Sequence, residues 1–154
     1  MKPMFNQELK IVSRTGKLYT SSFPIYRMIS DFSFMQKVEI PDDRIKIVAS
    51  DYDTCTLEIQ GGGKFILRII EREPNSMVKI AVDANSPFEF TMWIQLKELQ
   101  AYDTRLRITL HATLNPFLKL VLQKHFENFV ETMVDRLEKF FSPDRPYYNT
   151  NYEA

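Results

Sequence analysis

Between Arg44 and Leu114 apolar and polar residues alternate with a period of two, the pattern of strands that bury one face. Six segments carry it: "RIKIVAS", "TCTLEIQ", "KFILRIIERE", "MVKIAVDA", "FEFTMWIQLKEL" and "TRLRITLHATL". They are parted by "DYD", the glycines after Gln60, "PNS", "NSP" and a polar turn at Ala101 to Asp103. Connections this short join antiparallel neighbours. A seventh alternating stretch, "ELKIVSRTGKLY" from Glu8 to Tyr19, precedes the six.

The intervening "TSSFPIYRMISDFSFMQKV" changes period. Ser21 or Ser22 can cap a helix, Pro24 falls in its first turn, and Ile25, Met28 and Ile29 form an apolar stripe. Asp31 and Ser33 predict a break before a second short helix ending near Val38, and "EIPDD" predicts a turn. After Asn115, a good cap, and Pro116, the period becomes helical up to about Phe141. At 100° per residue, Leu118, Leu122, Phe126, Phe129, Met133, Leu137 and Phe140 share one broad face. Some 26 residues at 1.5 Å each make a rod of roughly 39 Å, enough to cross a small sheet. The last residues, "SPDRPYYNTNYEA", predict a polar tail over 142–154 behind a single domain at 1–141.

The pattern therefore predicts an α+β domain: a curved seven-stranded antiparallel sheet around a long C-terminal helix, with two short helices after the first strand. Alternation places Phe88, Phe90, Met92, Ile94 and Leu96 on one face, and Leu106, Ile108, Leu110, Ala112 and Leu114 on the matching face of the next strand. That face turns toward Leu122, Phe129 and Met133. A helix is about 10–12 Å wide, whereas seven strands at about 4.8 Å span roughly three times that. One helix covers such a trough incompletely. The remainder is either a cavity fit for a hydrophobic molecule or a space plugged by some of the twelve phenylalanines. The candidate lining is Phe90, Met92, Ile94, Ile108, Leu110, Leu122, Phe129 and Met133. His125 joins it from the edge of the helix's apolar face, and Arg68 does so if a bulge in "FILRII" turns it inward.

Charge narrows the partners. Twenty basic residues balance twenty acidic ones and no basic run stands out, so a nucleic-acid partner is not expected. No stretch approaches a membrane span, and "MKPMFNQELK" lacks the apolar run of a signal peptide. A lone cysteine, Cys55, fits a cytoplasmic protein. As a nucleophile it would need a nearby base, and nothing local supplies one.

Three motifs invite chemistry. "QGGGK" has the glycines and lysine of a phosphate loop, but Phe65 stands where Ser or Thr is needed and both flanks are strand-like, so a hairpin tip is predicted. His111 and His125, the only histidines, lie on separate elements from each other and from Cys55, giving no metal site and no motif for a cofactor. Trp93 points away from the trough near Arg107 and His111, either as a cross-strand pair shielding the ladder or as the centre of a protein interface. No catalytic residue is assigned, because the inward positions are almost wholly hydrocarbon.

The order of strand, two short helices, six strands and one long helix resembles the START-like superfamily, the helix-grip fold shared with the major birch pollen allergen. "SSFPIYRMISDFSFMQKV", "FTMWIQLKE" and "ATLNPFLKLVLQKHFENFVETMVDRLE" carry the resemblance, which spans Glu8 to Phe141. Within it the chain looks like the small bacterial proteins of polyketide cyclase and lipid-transport type. With the apolar concave face and the absence of interior polar groups, the leading expectation is non-catalytic binding or transport of a small hydrophobic molecule such as a lipid, quinone or polyketide-like compound. The alternatives are a cyclase or hydratase using Arg68 or His125, and an interaction module, with a possible homodimer, built on the outer face around Trp93.

Overall fold

The computed structural model describes residues 6–33, 43–61, 63–83, 86 and 88–143. The second short helix expected before Val38 and most of the expected tail lie outside these residues. The described elements are β1 (Gln7–Val12), β2 (Gly16–Leu18), α1 (Ser22–Ile29), β3 (Ile45–Ser50), β4 (Thr54–Ile59), β5 (Gly63–Glu73), β6 (Met77–Val82), β7 (Glu89–Gln100), β8 (Asp103–Leu114) and α2 (Pro116–Phe140).

The strands form one antiparallel sheet in the order β1-β8-β7-β6-β5-β4-β3, with β2 also on β8. The fold is the α+β architecture expected, but the sheet has eight strands because the first alternating stretch is broken. Val12 pairs with Thr109 and Gly16 with Leu106, so the first stretch carries one residue more than its partner over that span. Ser13 fills the break: its N–H donates to the Ile108 carbonyl at 2.8 Å and its hydroxyl accepts from the Ile108 N–H at 2.9 Å. A bulge of this kind bends the strand. The bend carries Gly16 under α2, where a Cβ would come within 2.8 Å of Val134 Cγ1.

The cap of α2 forms as its sequence requires, with Asn115 Oδ1 accepting from the Leu118 N–H at 2.8 Å and Pro116 in the first turn. Along the helix the packing is uneven. Val130, Val134 and Leu137 are buried, whereas Leu118, Leu122, Phe126, Phe129 and Met133 are half-buried against the core. Near its start, Leu120 is 84% and Phe117 71% exposed. The helix packs chiefly on β8, β1 and β2. Three acids on its second half clamp Arg14: Glu131, Asp135, and Glu138 at 2.6 Å. Glu138 also accepts from the Lys17 N–H at 2.9 Å.

The glycine-rich stretch is a hairpin tip. Ile59 pairs with Gly63, and Gly61 and Gly63 take φ of 79° and 86°, the left-handed region where glycine carries no steric cost. Strands β4 and β5 flank it, so the chain does not run from the glycines into a helix N-terminus.

Candidate functional site

The concave face of the sheet divides into a packed half and a half-covered one. In β6, β7 and β8 the inward residues Val78, Ile80, Met92, Ile94, Ile108 and Leu110 are all at most 2% exposed. Four of the expected lining residues (Met92, Ile94, Ile108 and Leu110) therefore sit in tightly packed core, with Phe90 at its margin. Toward the other edge, Ile47 on β3, Leu57 on β4, Leu67 on β5, Val82 on β6 and Phe88 ahead of β7 are only half-buried. Register puts Cys55, Leu67 and Val82 on one face, and the half-buried side of α2, with Leu122, Phe126, Phe129 and Met133, also packs against the core.

Aromatic rings bridge part of this gap. Phe88 lies 5.4 Å from Phe65 and 6.1 Å from Phe126, and Phe126 lies 5.8 Å from Phe90, centroid to centroid and tilted. These separations lie within the range of favourable aromatic pairs. The rings join sheet to helix at mid-trough and leave the aliphatic side chains around them incompletely covered.

His125 sits half-buried on α2, with Arg44 Nη2 at 3.3 Å and 3.2 Å from its two ring nitrogens. It thus lies at the β3 margin of the trough. Arg68 is not in the trough: it stands on the convex face, 48% exposed, and pairs with Asp83 at 3.3 Å. The expected bulge does exist in β5, but between Ile69 and Glu71, downstream of Arg68. Its effect falls on Arg72, which pairs with the buried Val78 and so points inward.

Arg72 closes the end of the trough occupied by α1. Its Nε donates to the Ser30 carbonyl at 2.9 Å, Nη2 to the Tyr52 carbonyl at 2.9 Å, and Nη1 to Asp53 at 2.8 Å. The guanidinium also stacks 4.0 Å from the Tyr52 ring centroid. One side chain thereby ties the end of α1, the β3–β4 turn and β5 together. Asp51 shapes that turn by accepting from the Thr54 hydroxyl and from the N–H groups of Thr54 and Asp53, which hold its carboxyl below the usual range.

Cys55 lies deep in the same corner, fully buried, and desolvation pushes its thiol up to about 11. A thiol so protonated is a poor nucleophile. Among the described residues no group of three or more His, Cys, Asp and Glu side chains is placed to hold a metal. On the convex face Trp93 pairs with Thr109, its ring meets His111 edge-on at 5.0 Å, and Lys79 Nζ lies 5.4 Å from its centroid. The outward placement agrees with the alternation; the cation over the indole is Lys79, whereas Arg107 is exposed opposite Gln95.

Several important residues escaped the sequence pattern. Two consecutive isoleucines, Ile69 and Ile70, were the available sign that the alternation in β5 slips before Arg72. Gly16, the one glycine outside the hairpin tip, was the sign of a close helix approach. Ser50 carried no signal at all.

Solved structures of the same shape decide the fold. A START superfamily protein of Mycobacterium smegmatis superposes with a TM-score of 0.59 at 18% identity, over 85% of this chain and 98% of that one. The chain has the START-like, helix-grip fold. Truncated norcoclaurine synthase of Thalictrum flavum shares this fold with a TM-score of 0.62 at 11% identity, covering 94% and 100% of the two chains. The XoxI protein of Bacillus cereus does so with 0.57 at 15% identity, covering 87% and 96%. No family model matches the chain, and no curated protein matches it in sequence. Among the described residues, no helix of this helix-grip fold is long and apolar enough to cross a membrane.

Proposed function

We propose that the protein binds a small hydrophobic molecule, lipid-, quinone- or polyketide-like, between the sheet and α2, without performing chemistry on it. The observation that carries this reading is the belt of half-buried apolar side chains from Ile47, Leu57 and Leu67 across to Leu122, Phe126 and Phe129. Apolar area that the chain fails to bury in itself is available to a guest at roughly 25 cal/mol per Å². In the described part of the trough the inward cation, Arg72, has all three of its nitrogens donating to protein acceptors, which argues for holding rather than catalysis. One fold neighbour binds small molecules: a structure of the Thalictrum norcoclaurine synthase holds dopamine and hydroxybenzaldehyde. The proposal also places the protein in the cytoplasm, and its balanced charge argues against a nucleic-acid partner.

The test is native mass spectrometry and organic extraction of the purified protein, joined to titration with N-phenyl-1-naphthylamine. A recovered apolar molecule, or saturable probe fluorescence that Leu122→Asp and Phe126→Asp abolish, supports the reading. Absence of both a recovered ligand and saturable probe binding overturns it.

A further inference from the structure

We propose that the hydroxyl of Ser50 receives the polar group of the bound molecule, so that the ligand is an apolar body bearing one neutral hydroxyl or carbonyl group, inserted with that group leading. This rests on the binding reading above and adds the chemistry of the guest.

Among the described residues, Ser50 Oγ is the one buried side-chain oxygen or nitrogen without a hydrogen-bond partner. Such a group loses its hydration and gains nothing in return, which is why nearly all buried polar atoms are paired. Alanine at this position would avoid that cost. Register fixes where the hydroxyl stands. Ser50 pairs with Cys55, and Cys55 pairs with Leu67, whose partner is Val82, all on the concave face. The bulge between Ile47 and Ala49 is what sets Ser50 on this face together with Ile47, three residues earlier.

The position is the deep end of the trough. Along β4 the inward residues pass from half-buried Ile59 and Leu57 to fully buried Cys55. Beyond lies the end closed by α1 and Arg72, where the Phe32 N–H also donates to the Tyr52 carbonyl at 3.2 Å. A guest entering past Leu57 and Leu67 therefore meets Ser50 last. Ser50 as a residue is half-buried but its oxygen is almost wholly shielded from water, so the guest reaches it as Ile47, Leu57 and Leu67, themselves incompletely covered, move aside. A neutral group fits this corner better than an ion. The inward cation of this corner, Arg72, is already engaged with Asp53 and two carbonyls, Arg68 on the opposite face is paired with Asp83, and an unpaired charge in hydrocarbon is far costlier than a hydroxyl.

Two shape-matched probes test the idea, 2-naphthol and 2-methylnaphthalene, each competed against N-phenyl-1-naphthylamine on wild type and Ser50→Ala. Wild type is expected to prefer 2-naphthol by about tenfold, the worth of one buried hydrogen bond. In Ser50→Ala the preference disappears, while 2-methylnaphthalene affinity stays within about twofold and the melting temperature holds or rises, since an unpaired hydroxyl has been removed. A merely structural serine would instead lower the melting temperature and leave the preference intact, which overturns the proposal. Equal binding of both probes to wild type overturns it too, while sparing the binding reading; binding of neither probe removes both.

Discussion

Replacing Gly16 by alanine probes the contact on which the helix grip depends. The new Cβ would stand 2.8 Å from Val134 Cγ1 and 3.4 Å from both Glu138 Cγ and Oε2, so something must shift. Neither side yields easily. Valine is stiff at χ1. The chain around Gly16 is pinned to the same stretch of helix, with the Arg14 N–H on Glu131 at 3.1 Å and the Lys17 N–H on Glu138 at 2.9 Å. Overpacking of this kind costs about 1–3 kcal/mol. Alanine recovers about 0.4–1 kcal/mol by restricting the unfolded chain, since Gly16 carries no positive φ. The expected net loss is about 1–2 kcal/mol, or about 2–8 °C in melting temperature for a domain of this size. Urea unfolding should show a lower midpoint at unchanged slope. The decisive measurement is the cycle with Val134→Ala, which opens room for the methyl introduced by Gly16→Ala. The double variant should be at least about 1 kcal/mol more stable than the sum of the single effects. Additive effects, or a Gly16→Ala protein as stable as wild type, would refute the close approach.

Arg72→Ala leaves the Ser30 and Tyr52 carbonyls without their donor and should cost about 2–4 kcal/mol, with faster amide exchange at the end of α1; Arg72→Lys, lacking the planar fork, should recover little of it. Glu138 is held below its ordinary 4.5, first by the hydrogen bond from Arg14, so its contribution is present above that value and fades as pH falls through the lowered one. Wild type should exceed Glu138→Gln by up to about 1 kcal/mol near neutrality, with the gap closing on acidification in a pH series of denaturant melts. A gap that is constant with pH would contradict the Arg14 assignment.

How legible the architecture was depended on periodicity. Strands β3 to β8 and α2 announce themselves because each buries one face, and the period of two or 3.6 survives in the sequence. What escaped are the places where the period slips by one. The bulge at Ser13 splits the first strand, and that at Ile69/Glu71 exchanges Arg68 for Arg72 as the inward arginine. A slip of one residue reverses every side chain beyond it, so the alternation before the slip misassigns the residues after it. On α2 the broad apolar stripe was visible, but which part of it meets the sheet most closely is set by Gly16, far away in sequence. The stripe marked Leu122, Phe129 and Met133, which are half-buried, and passed over Val130 and Val134, which are fully buried. Ser50 stayed illegible because an unpaired hydroxyl is a property of its neighbours.

The uneven seating of α2 separates two duties that most cores combine. Its rear portion is bolted down by Val134 and by the acids on Arg14, whereas the forward portion, from Leu118 to Phe126, rests only half-buried over the trough. If that trough holds a guest as proposed, exchanges along the forward portion would alter the shape and chemistry offered to it at less expense in folding than exchanges at the buried end. On the proposed binding reading, a lineage built on this frame could change its cargo one side chain at a time while the anchored end keeps the molecule whole.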